Sequence, residues 1–215
     1  MTGFQTTSLK NSLCFCESEV SKKEINEEYT EKECKIPKKE YWIKIVVAGD
    51  GGVGKTSLLN RYVSNEFMEC MKLTVGADFF TQVFDCKGSI IKLQLWDFGG
   101  EERFRFLLPD YCKGACGVLL AFDLTDYTTL HSIDEWMQII KENTTAPVAI
   151  LVGTKADSAE FLDEEVIKQF CIAHKIDEFI PTSSKTGENV DFVFQELIRR
   201  IIARKVSFGG VKHVY

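Results

Sequence analysis

The chain has 215 residues, and its 26 basic and 32 acidic side chains give it a formal net charge of −6. This charge argues against a protein that binds nucleic acid through its phosphates, because such proteins carry a net basic surface. No apolar run approaches the roughly 20 residues of a membrane-spanning helix, and the N-terminus lacks the apolar stretch of a secretion signal. Composition therefore favours a globular cytoplasmic protein of one domain, with its eight cysteines reduced.

The first 40 residues differ in composition from the rest of the chain. Fifteen of them are charged, and residues 17–40 show no sustained apolar stripe at helical spacing. Too little apolar surface is present there to form a core. We expect residues 1–40 to be a charged extension, either disordered or a solvated helix. Residues 41–205 are expected to form the folded domain, followed by a short tail at 206–215.

From residue 41 onward, short apolar runs alternate with amphipathic segments. Strands are predicted at 41–48, 79–84, 90–96, 116–123, 148–153 and 179–180. Helices are predicted at 54–64, through Leu130–Ile140, around Val166, Phe170 and Ala173, and at 190–201. The predicted strands at 79–84 and 90–96 form a hairpin. The continuous apolar runs at 116–123 and 148–153 are typical of parallel strands. Strands that alternate with helices predict an α/β fold, a sheet with helices on both faces.

A glycine-rich sequence follows the first predicted strand. Gly49-Asp-Gly-Gly-Val-Gly54-Lys55-Thr56 matches G-x-x-x-x-G-K-[ST], in which successive backbone N–H groups converge on phosphate oxygens at the start of a helix. Lys55 is expected to reach the β- and γ-phosphates, and the Thr56 hydroxyl is expected to ligate Mg²⁺. The residues predicted to bind the phosphates are Asp50, Gly51, Gly52, Val53, Gly54, Lys55, Thr56 and Ser57.

Two further residues near the end of the predicted hairpin point to the same chemistry. Asp97 follows the glycine-rich loop by about forty residues. An acidic residue at a strand end near a phosphate loop holds Mg²⁺, usually through water. Gly100 has no Cβ to block a close approach, so its N–H is expected to reach a γ-phosphate.

The segment Thr154-Lys155-Ala-Asp157 follows the predicted strand at 148–153 and points to the base. A buried Asp157 carboxylate would accept hydrogen bonds from guanine N1–H and the exocyclic amine, which adenine does not offer. Sites built in this way discriminate by about 10⁴–10⁵. The Lys155 stem is expected to lie over the base, and Ser183-Ser184-Lys185 to add a backbone N–H to guanine O6. The motifs together predict a site for GTP or GDP with Mg²⁺.

Over residues 41–205 these motifs resemble the small GTPases of the Ras superfamily, and within it the Rab family. The Rab-type segments are LTVGADF at 73–79, KLQLWD at 92–97 and EERF at 101–104. The resemblance implies a P-loop NTPase fold with a six-stranded, mostly parallel sheet and five helices. It also implies that Thr74 ligates Mg²⁺ when γ-phosphate is present and that Phe67 covers the guanine edge. Thr154 stands where Asn is more usual, which we expect to remove a hydrogen bond without changing base choice.

Glu101 stands where the family normally has a Gln that orients the attacking water. A carboxylate can accept a hydrogen bond from that water but cannot donate one, and it brings negative charge near the γ-phosphate. Phe98 likewise replaces a small residue. Two interpretations stay open: a switch that slowly hydrolyses GTP, and a GTP-binding interaction module with negligible hydrolysis. The predicted catalytic residues are Lys55, Thr74, Gly100 and Glu101.

Partner contacts are predicted at two switch segments, 65–76 and 98–110, and at an aromatic triad. Phe79, Trp96 and Tyr111 match the triad that Rab proteins present to effectors, and exchange and activating proteins are expected as well. Trp96 lies on the polar face of its strand, so it either contacts a partner or packs beneath the switches. The end of the sequence, FGGVKHVY, has no cysteine for a prenyl anchor. We therefore expect a cytoplasmic monomer, recruited to membranes, if at all, through partners.

Overall fold

Strands and helices alternate along the computed structural model, which describes residues 39–69, 73–86, 89–100, 108–145, 147–160 and 163–207. The strands are β1 (Lys39–Ala48), β2 (Ala77–Cys86), β3 (Ser89–Phe98), β4 (Gly117–Asp123), β5 (Val148–Thr154) and β6 (Glu178–Pro181). The helices are α1 (Lys55–Ser64), α2 (Leu108–Cys112), α3 (Thr128–His131), α4 (Ile133–Asn143), α5 (Glu164–His174) and α6 (Val190–Ser207). A 3₁₀ turn spans Ala156–Ser158.

The six strands form one sheet in the order β2-β3-β1-β4-β5-β6. Among the strands of the described residues, β2 and β3 pair antiparallel, and the other neighbouring strands pair parallel. Strands β4 and β5 are buried along their whole length, as apolar runs between two helical layers should be. The predicted fold, a six-stranded and mostly parallel sheet, is confirmed.

Two hydrophobic cores lie on the two faces of the sheet. On one face, α1 and α6 pack against the sheet, and the rings of Tyr62 and Phe194 stack 3.8 Å apart between those helices. On the other face, buried side chains of α2, α4 and α5 pack against the sheet; they include Leu108, Trp136 and Ile167. Helices therefore cover both faces, as the sequence predicts.

The helix predicted around Val166, Phe170 and Ala173 is present as α5, whereas the helix predicted through Leu130–Ile140 needs correction. Val166 and Ala173 of α5 are exposed, whereas Ile167 and Cys171 are buried. These two residues stand at i and i+4 and therefore share the face that packs on the core, and Phe170 is partly buried against the same core. The helix predicted through Leu130–Ile140 is divided at Ser132 into α3 and α4.

The ends of the domain fall close to the predicted positions. Strand β1 begins at Lys39, and α6 continues to Ser207. Residues 1–38 and 208–215, most of the predicted extension and tail, lie outside the described residues, so the predicted division of the chain stays a prediction. Within the described ranges, no helix is long and apolar enough to cross a membrane.

Candidate nucleotide-binding site

A cleft of about 350 Å³ opens beside the loops that follow β1, β3, β5 and β6. Sequence motifs separated by more than a hundred residues meet there because parallel strands bring their carboxyl ends to one edge of a sheet. Its lining includes most of the residues predicted from the sequence: Gly51, Gly52, Gly54, Lys55, Thr56, Ser57, Phe67, Thr74, Gly100, Thr154, Lys155, Asp157, Ser184 and Lys185. Four further predicted residues are not part of this lining: Asp50, Val53, Asp97 and Ser183.

The glycine-rich loop leaves β1 by passing close to β4. A Cβ atom on Gly49 would stand 2.1 Å from the carbonyl oxygen of Ala121, and the φ of Gly49 is +145°, so only glycine fits there. The loop then turns through Gly52 and Gly54, both with positive φ, before α1 begins at Lys55. Val53, between these two glycines, is buried and anchors the loop in the protein interior. The sequence thus folds the loop around the helix N-terminus, as the motif requires.

The Lys55 ammonium lies inside its own loop. It donates hydrogen bonds to the carbonyl oxygens of Gly49, at 2.9 Å, and Asp50, at 2.6 Å. Burial lowers the pKa of Lys55 to about 8, and the negative charges of Asp97 and Asp50 act in the opposite direction. Burial disfavours the charged form of Lys55, so an anionic partner would stabilise the ammonium.

Asp50 is held on two sides. Its carboxylate Oδ1 accepts a hydrogen bond of 2.9 Å from the indole Nε1 of Trp136, a fully buried residue of α4. On its backbone side, a Cβ atom added to Gly100 would stand 2.1 Å from the Asp50 carbonyl carbon. The phosphate loop is thus in direct contact with the segment after β3, and no sequence motif predicts the contribution of Trp136.

Three predicted magnesium ligands converge in the structure. The Thr56 hydroxyl donates to Asp97 Oδ2 at 2.5 Å, and the Thr74 hydroxyl lies 2.7 Å from the Thr56 hydroxyl and 3.3 Å from the same carboxylate oxygen. Asp97 is completely buried, and burial is the main cause that raises its pKa, against the hydrogen bond from Thr56 and the positive charge of Lys55. Its Oδ1 has no hydrogen-bond partner among the described residues. Hydroxyl and carboxylate oxygens of this kind fit Mg²⁺.

The Thr154 hydroxyl is used within the protein. Its Oγ1 lies 2.5 Å from the carbonyl oxygen of Val53 and 2.9 Å from that of Phe122. The single hydroxyl proton donates to one of these oxygens or is shared between them, so it links β5 to the phosphate loop and to β4. The next residue, Lys155, has a φ of +57° and forms an ion pair with Asp123, a buried carboxylate at the end of β4. Asp123 could not be predicted from the sequence, because a single acid at a strand end forms no motif.

The Asp157 carboxylate accepts hydrogen bonds from the hydroxyls of Ser183, at 2.5 Å, and Ser158, at 3.0 Å. The bond from Ser183 is the largest cause that lowers the pKa of Asp157, so the group is ionised at neutral pH. Asp157 is exposed in the chain, and its burial beneath a guanine base stays a prediction. The Ser183 N–H donates to the Glu188 carbonyl at 3.0 Å and is therefore used within the protein. Ser184 and Lys185, the next two residues, line the cleft.

The predicted aromatic triad is continuous in the structure. The rings of Phe79 and Trp96 lie 5.0 Å apart, and those of Trp96 and Tyr111 lie 5.1 Å apart. The Lys44 ammonium lies 4.8 Å from the Trp96 ring centroid, and the edge of Tyr111 meets Phe98, which is buried. Phe79 is nearly half exposed. Trp96 therefore packs between its neighbours while the triad as a whole reaches the surface.

Parts of both predicted switch segments lie outside the described residues, namely 70–72 and 101–107. The second of these gaps contains Glu101, so its role stays a prediction. The described parts of the two segments are joined by a hydrogen bond of 2.7 Å from the Gly99 N–H to the Gly76 carbonyl oxygen.

A phosphate-binding loop between β1 and α1, with an acidic residue at the end of the adjacent strand β3, defines a P-loop nucleotide-binding protein. The sequence profile of the Ras family matches residues 44–203, and the chain belongs to that family. It is a Rab-like small GTPase of the Ras superfamily, a nucleotide-dependent switch, which confirms the resemblance seen in its motifs.

Several curated proteins are similar to this chain over most of their length. It is 35% identical over 177 residues to the Ras-related protein RABA1i of Arabidopsis thaliana, a match that covers 80% of this chain and 81% of that protein. It is 38% identical over 165 residues to the Ras-related protein Rab-11A of Dictyostelium discoideum, covering 75% and 77%. It is also 38% identical over 169 residues to the Ras-related protein Rab-13 of Canis lupus familiaris, covering 77% and 82%.

Proposed function

We propose that this protein binds GTP and GDP with Mg²⁺, slowly hydrolyses GTP to GDP and phosphate, and signals to effectors through its switch segments. The observation that carries this proposal is the meeting of Thr56, Thr74 and Asp97 beside the Lys55 ammonium. Thr74 comes from the segment between α1 and β2, so its position can depend on the nucleotide. A ligand with a γ-phosphate would hold that segment, and its loss would release it.

The phosphate end of the site uses charges and backbone donors. The N–H groups of the 50–57 loop would cradle the phosphates, and Lys55 would exchange its two carbonyl partners for β- and γ-phosphate oxygens. The negative phosphates would raise the pKa of Lys55 and keep it protonated. Thr56 and Thr74 would hold Mg²⁺ directly and Asp97 through water; the bound ion neutralises charge that develops on the phosphates. The Gly100 N–H would donate to the γ-phosphate.

The base end selects guanine. The ionised Asp157 carboxylate would accept hydrogen bonds from guanine N1–H and the exocyclic amine, while Ser183 holds it in position. The backbone N–H groups at Ser184 and Lys185 would reach guanine O6. The Lys155 stem would lie over the base, and the Phe67 ring would cover the guanine edge. Adenine would leave the Asp157 carboxylate without a donor.

Hydrolysis depends on Glu101. Its carboxylate can accept a hydrogen bond from the attacking water, whereas the usual amide also donates one, so a slow intrinsic rate is expected. A second candidate, a GTP-binding module with negligible turnover, is favoured by this same substitution together with the bulky Phe98 at the entry to the segment. Effectors and regulators would bind at Phe79, Trp96, Tyr111 and the switches, and such partners would also supply any recruitment to membranes.

A single-turnover assay separates the two candidates. The protein, in large excess over γ-labelled GTP, should release phosphate slowly, and Glu101→Gln should release it faster. Glu102→Gln removes the same charge from the neighbouring residue and serves as the matched control. If the wild type cleaves no GTP after long incubation, the interaction module is the correct reading. Failure to bind GDP or GTP at micromolar concentrations would contradict both candidates.

A further inference from the structure

Arg61, on the last turns of α1, joins two parts of the base pocket without lining the cleft. Its Nε donates to the carbonyl oxygen of Ser184 at 2.6 Å, and its Nη2 donates to the carbonyl oxygen of Lys185 at 2.7 Å. Its Nη1 donates to the carbonyl oxygen of Asn65 at 3.0 Å, with the Asn65 side-chain oxygen at 3.3 Å. One guanidinium thus fastens a loop more than 120 residues away in the sequence to the end of α1.

The two bonds to Ser184 and Lys185 fix the direction of the backbone there. A guanidinium presents its N–H groups as a rigid planar fork, so it holds two neighbouring carbonyls in one relative orientation. A peptide unit is planar and trans, and the N–H of Lys185 therefore points away from the Ser184 carbonyl. With that carbonyl bound to Arg61, the N–H is directed away from Arg61. The Ser183 carbonyl accepts a hydrogen bond of 2.8 Å from the Gly187 N–H, which holds the preceding peptide unit.

The bond to Asn65 acts at the other wall of the pocket. Asn65 ends α1 with a φ of +57°, and its N–H donates to the Arg61 carbonyl at 3.0 Å. Phe67, which lines the cleft, follows two residues later. The turn that aims the chain toward Phe67 and the loop that carries Ser184 and Lys185 therefore share the same anchor.

We propose that Arg61 is a positioning residue for guanine: by holding residues 184–185 and the Asn65 turn, it sets the contact to guanine O6 and slows nucleotide release. This inference rests on the proposed function, since it concerns the same nucleotide. Arg61 acts through the backbone that it holds. Its loss should therefore weaken recognition of O6 specifically, in addition to any effect on overall stability.

The test compares the full chain as wild type, Arg61→Met and Arg61→Lys, with Arg200→Met as the matched control. Arg200 also binds a backbone carbonyl, that of Asp177, and two carboxylates, but at the other end of β6. The probes are GDP and 6-thio-GDP, in which sulfur replaces O6 and accepts hydrogen bonds weakly. Release rates and affinities are measured for both nucleotides, and thermal unfolding checks that each variant is folded.

Arg61→Met should release GDP about tenfold faster, the loss expected for hydrogen bonds that involve a charged group. The ratio of its affinities for GDP and 6-thio-GDP should fall toward one, because the contact to O6 is already weakened in this variant. Arg61→Lys, which offers no planar fork, should fall between Arg61→Met and the wild type, and Arg200→Met should match the wild type in both measurements.

Equal loss of affinity for the two nucleotides in both Arg61 variants, or release within twofold of the wild type, would overturn the role of Arg61 while leaving GDP binding intact. A wild type that binds no GDP would overturn the proposed function and the inference together.

Discussion

The indole Nε1 of Trp136 donates a hydrogen bond to the Asp50 carboxylate at 2.9 Å, so a helix on the second face of the sheet is tied to the phosphate loop. Trp136 is fully buried, and Asp50 precedes the glycines that turn the loop. The Asp50 carbonyl meanwhile holds the Lys55 ammonium. A change in the packing of α4 can therefore reach the phosphate-binding backbone through a single residue.

We expect Trp136→Phe to release bound GDP about tenfold faster than the wild type. Phenylalanine keeps a ring in the core but removes the N–H donor, and a hydrogen bond to a charged group contributes roughly 1.5–3 kcal/mol. Stopped-flow displacement of a fluorescent GDP analogue measures the rate. The same substitution in an Asp50→Ala background isolates the bond, because only the coupled part disappears there. An equal effect in both backgrounds would mean that lost packing, and not the hydrogen bond, is responsible.

Gly100 permits close contact between two parts of the site, and Gly100→Ala should weaken GTP binding at least tenfold more than GDP binding. The added Cβ would stand 2.1 Å from the Asp50 carbonyl carbon and 2.3 Å from the Gly51 nitrogen, so the segment after β3 must move away from the loop. That movement removes the N–H proposed to reach the γ-phosphate. Equilibrium titration with GDP and a non-hydrolysable GTP analogue gives the ratio.

Gly114→Ala is the control for Gly100→Ala. Gly114 has a φ of +74° and open space around its Cα, so alanine there costs about 1 kcal/mol of backbone strain and creates no contact with the site. It should leave the ratio of GTP to GDP affinity unchanged. A ratio that shifts equally in both variants would contradict the steric explanation.

Local patterns in the sequence predict the sheet, most of the helices and the residues of the cleft. The loop at 49–56, Asp97 and the 154–157 segment are recognisable because each is a short motif at the end of an apolar run, and parallel strands then bring these ends together. What the sequence does not reveal depends on long-range contacts between residues without a motif. Trp136 and Arg61 belong to ordinary amphipathic helices, and their partners lie 86 and 123 residues away.

The burial of α5 side chains and of Asp157 depends on contacts outside their own segments. In α5 the apolar residues Val166 and Ile167 are adjacent in the sequence, and the neighbouring core accepts Ile167 together with Cys171. The Asp157 carboxylate is exposed in the chain and is held by two serine hydroxyls, and no local motif predicts these two contacts. Burial is decided by the packing of neighbouring elements, which a single segment does not encode.

Stability should depend on pH through the thiol of Cys112. Burial raises the pKa of Cys112 to about 11, against the opposing effect of the Lys44 charge, whereas its ordinary value is 9.0. Between pH 9 and 11 the unfolded chain loses this proton and the folded chain keeps it. The folded state then binds more protons, so the free energy of unfolding falls as the pH rises through this window.

Urea unfolding at pH 8, 9.5 and 10.5 tests the Cys112 prediction. Cys112→Ala should lose less stability across this range than the wild type does, whatever its stability at pH 8. Burial raises the pKa of Cys171 to about 11 as well, so Cys171→Ala should reduce the dependence independently. Parallel curves for the wild type and both variants would exclude the thiols as the cause.

Thr154 differs from the usual Asn of this motif, and its hydroxyl stabilises the site from within the protein. Thr154→Val keeps the shape of the side chain but leaves the Val53 and Phe122 carbonyls without that donor. A buried group that loses its partner costs about 1–3 kcal/mol, so we expect a loss of stability of that size and faster GDP release. Thr154→Ser retains the hydroxyl and should stay closer to the wild type in both measurements.

The preference for GDP over ADP should stay unchanged in both variants, because the hydrogen bonds that hold Asp157 come from Ser183 and Ser158 and not from Thr154. Loss of that preference in Thr154→Val would instead assign the base choice to Thr154.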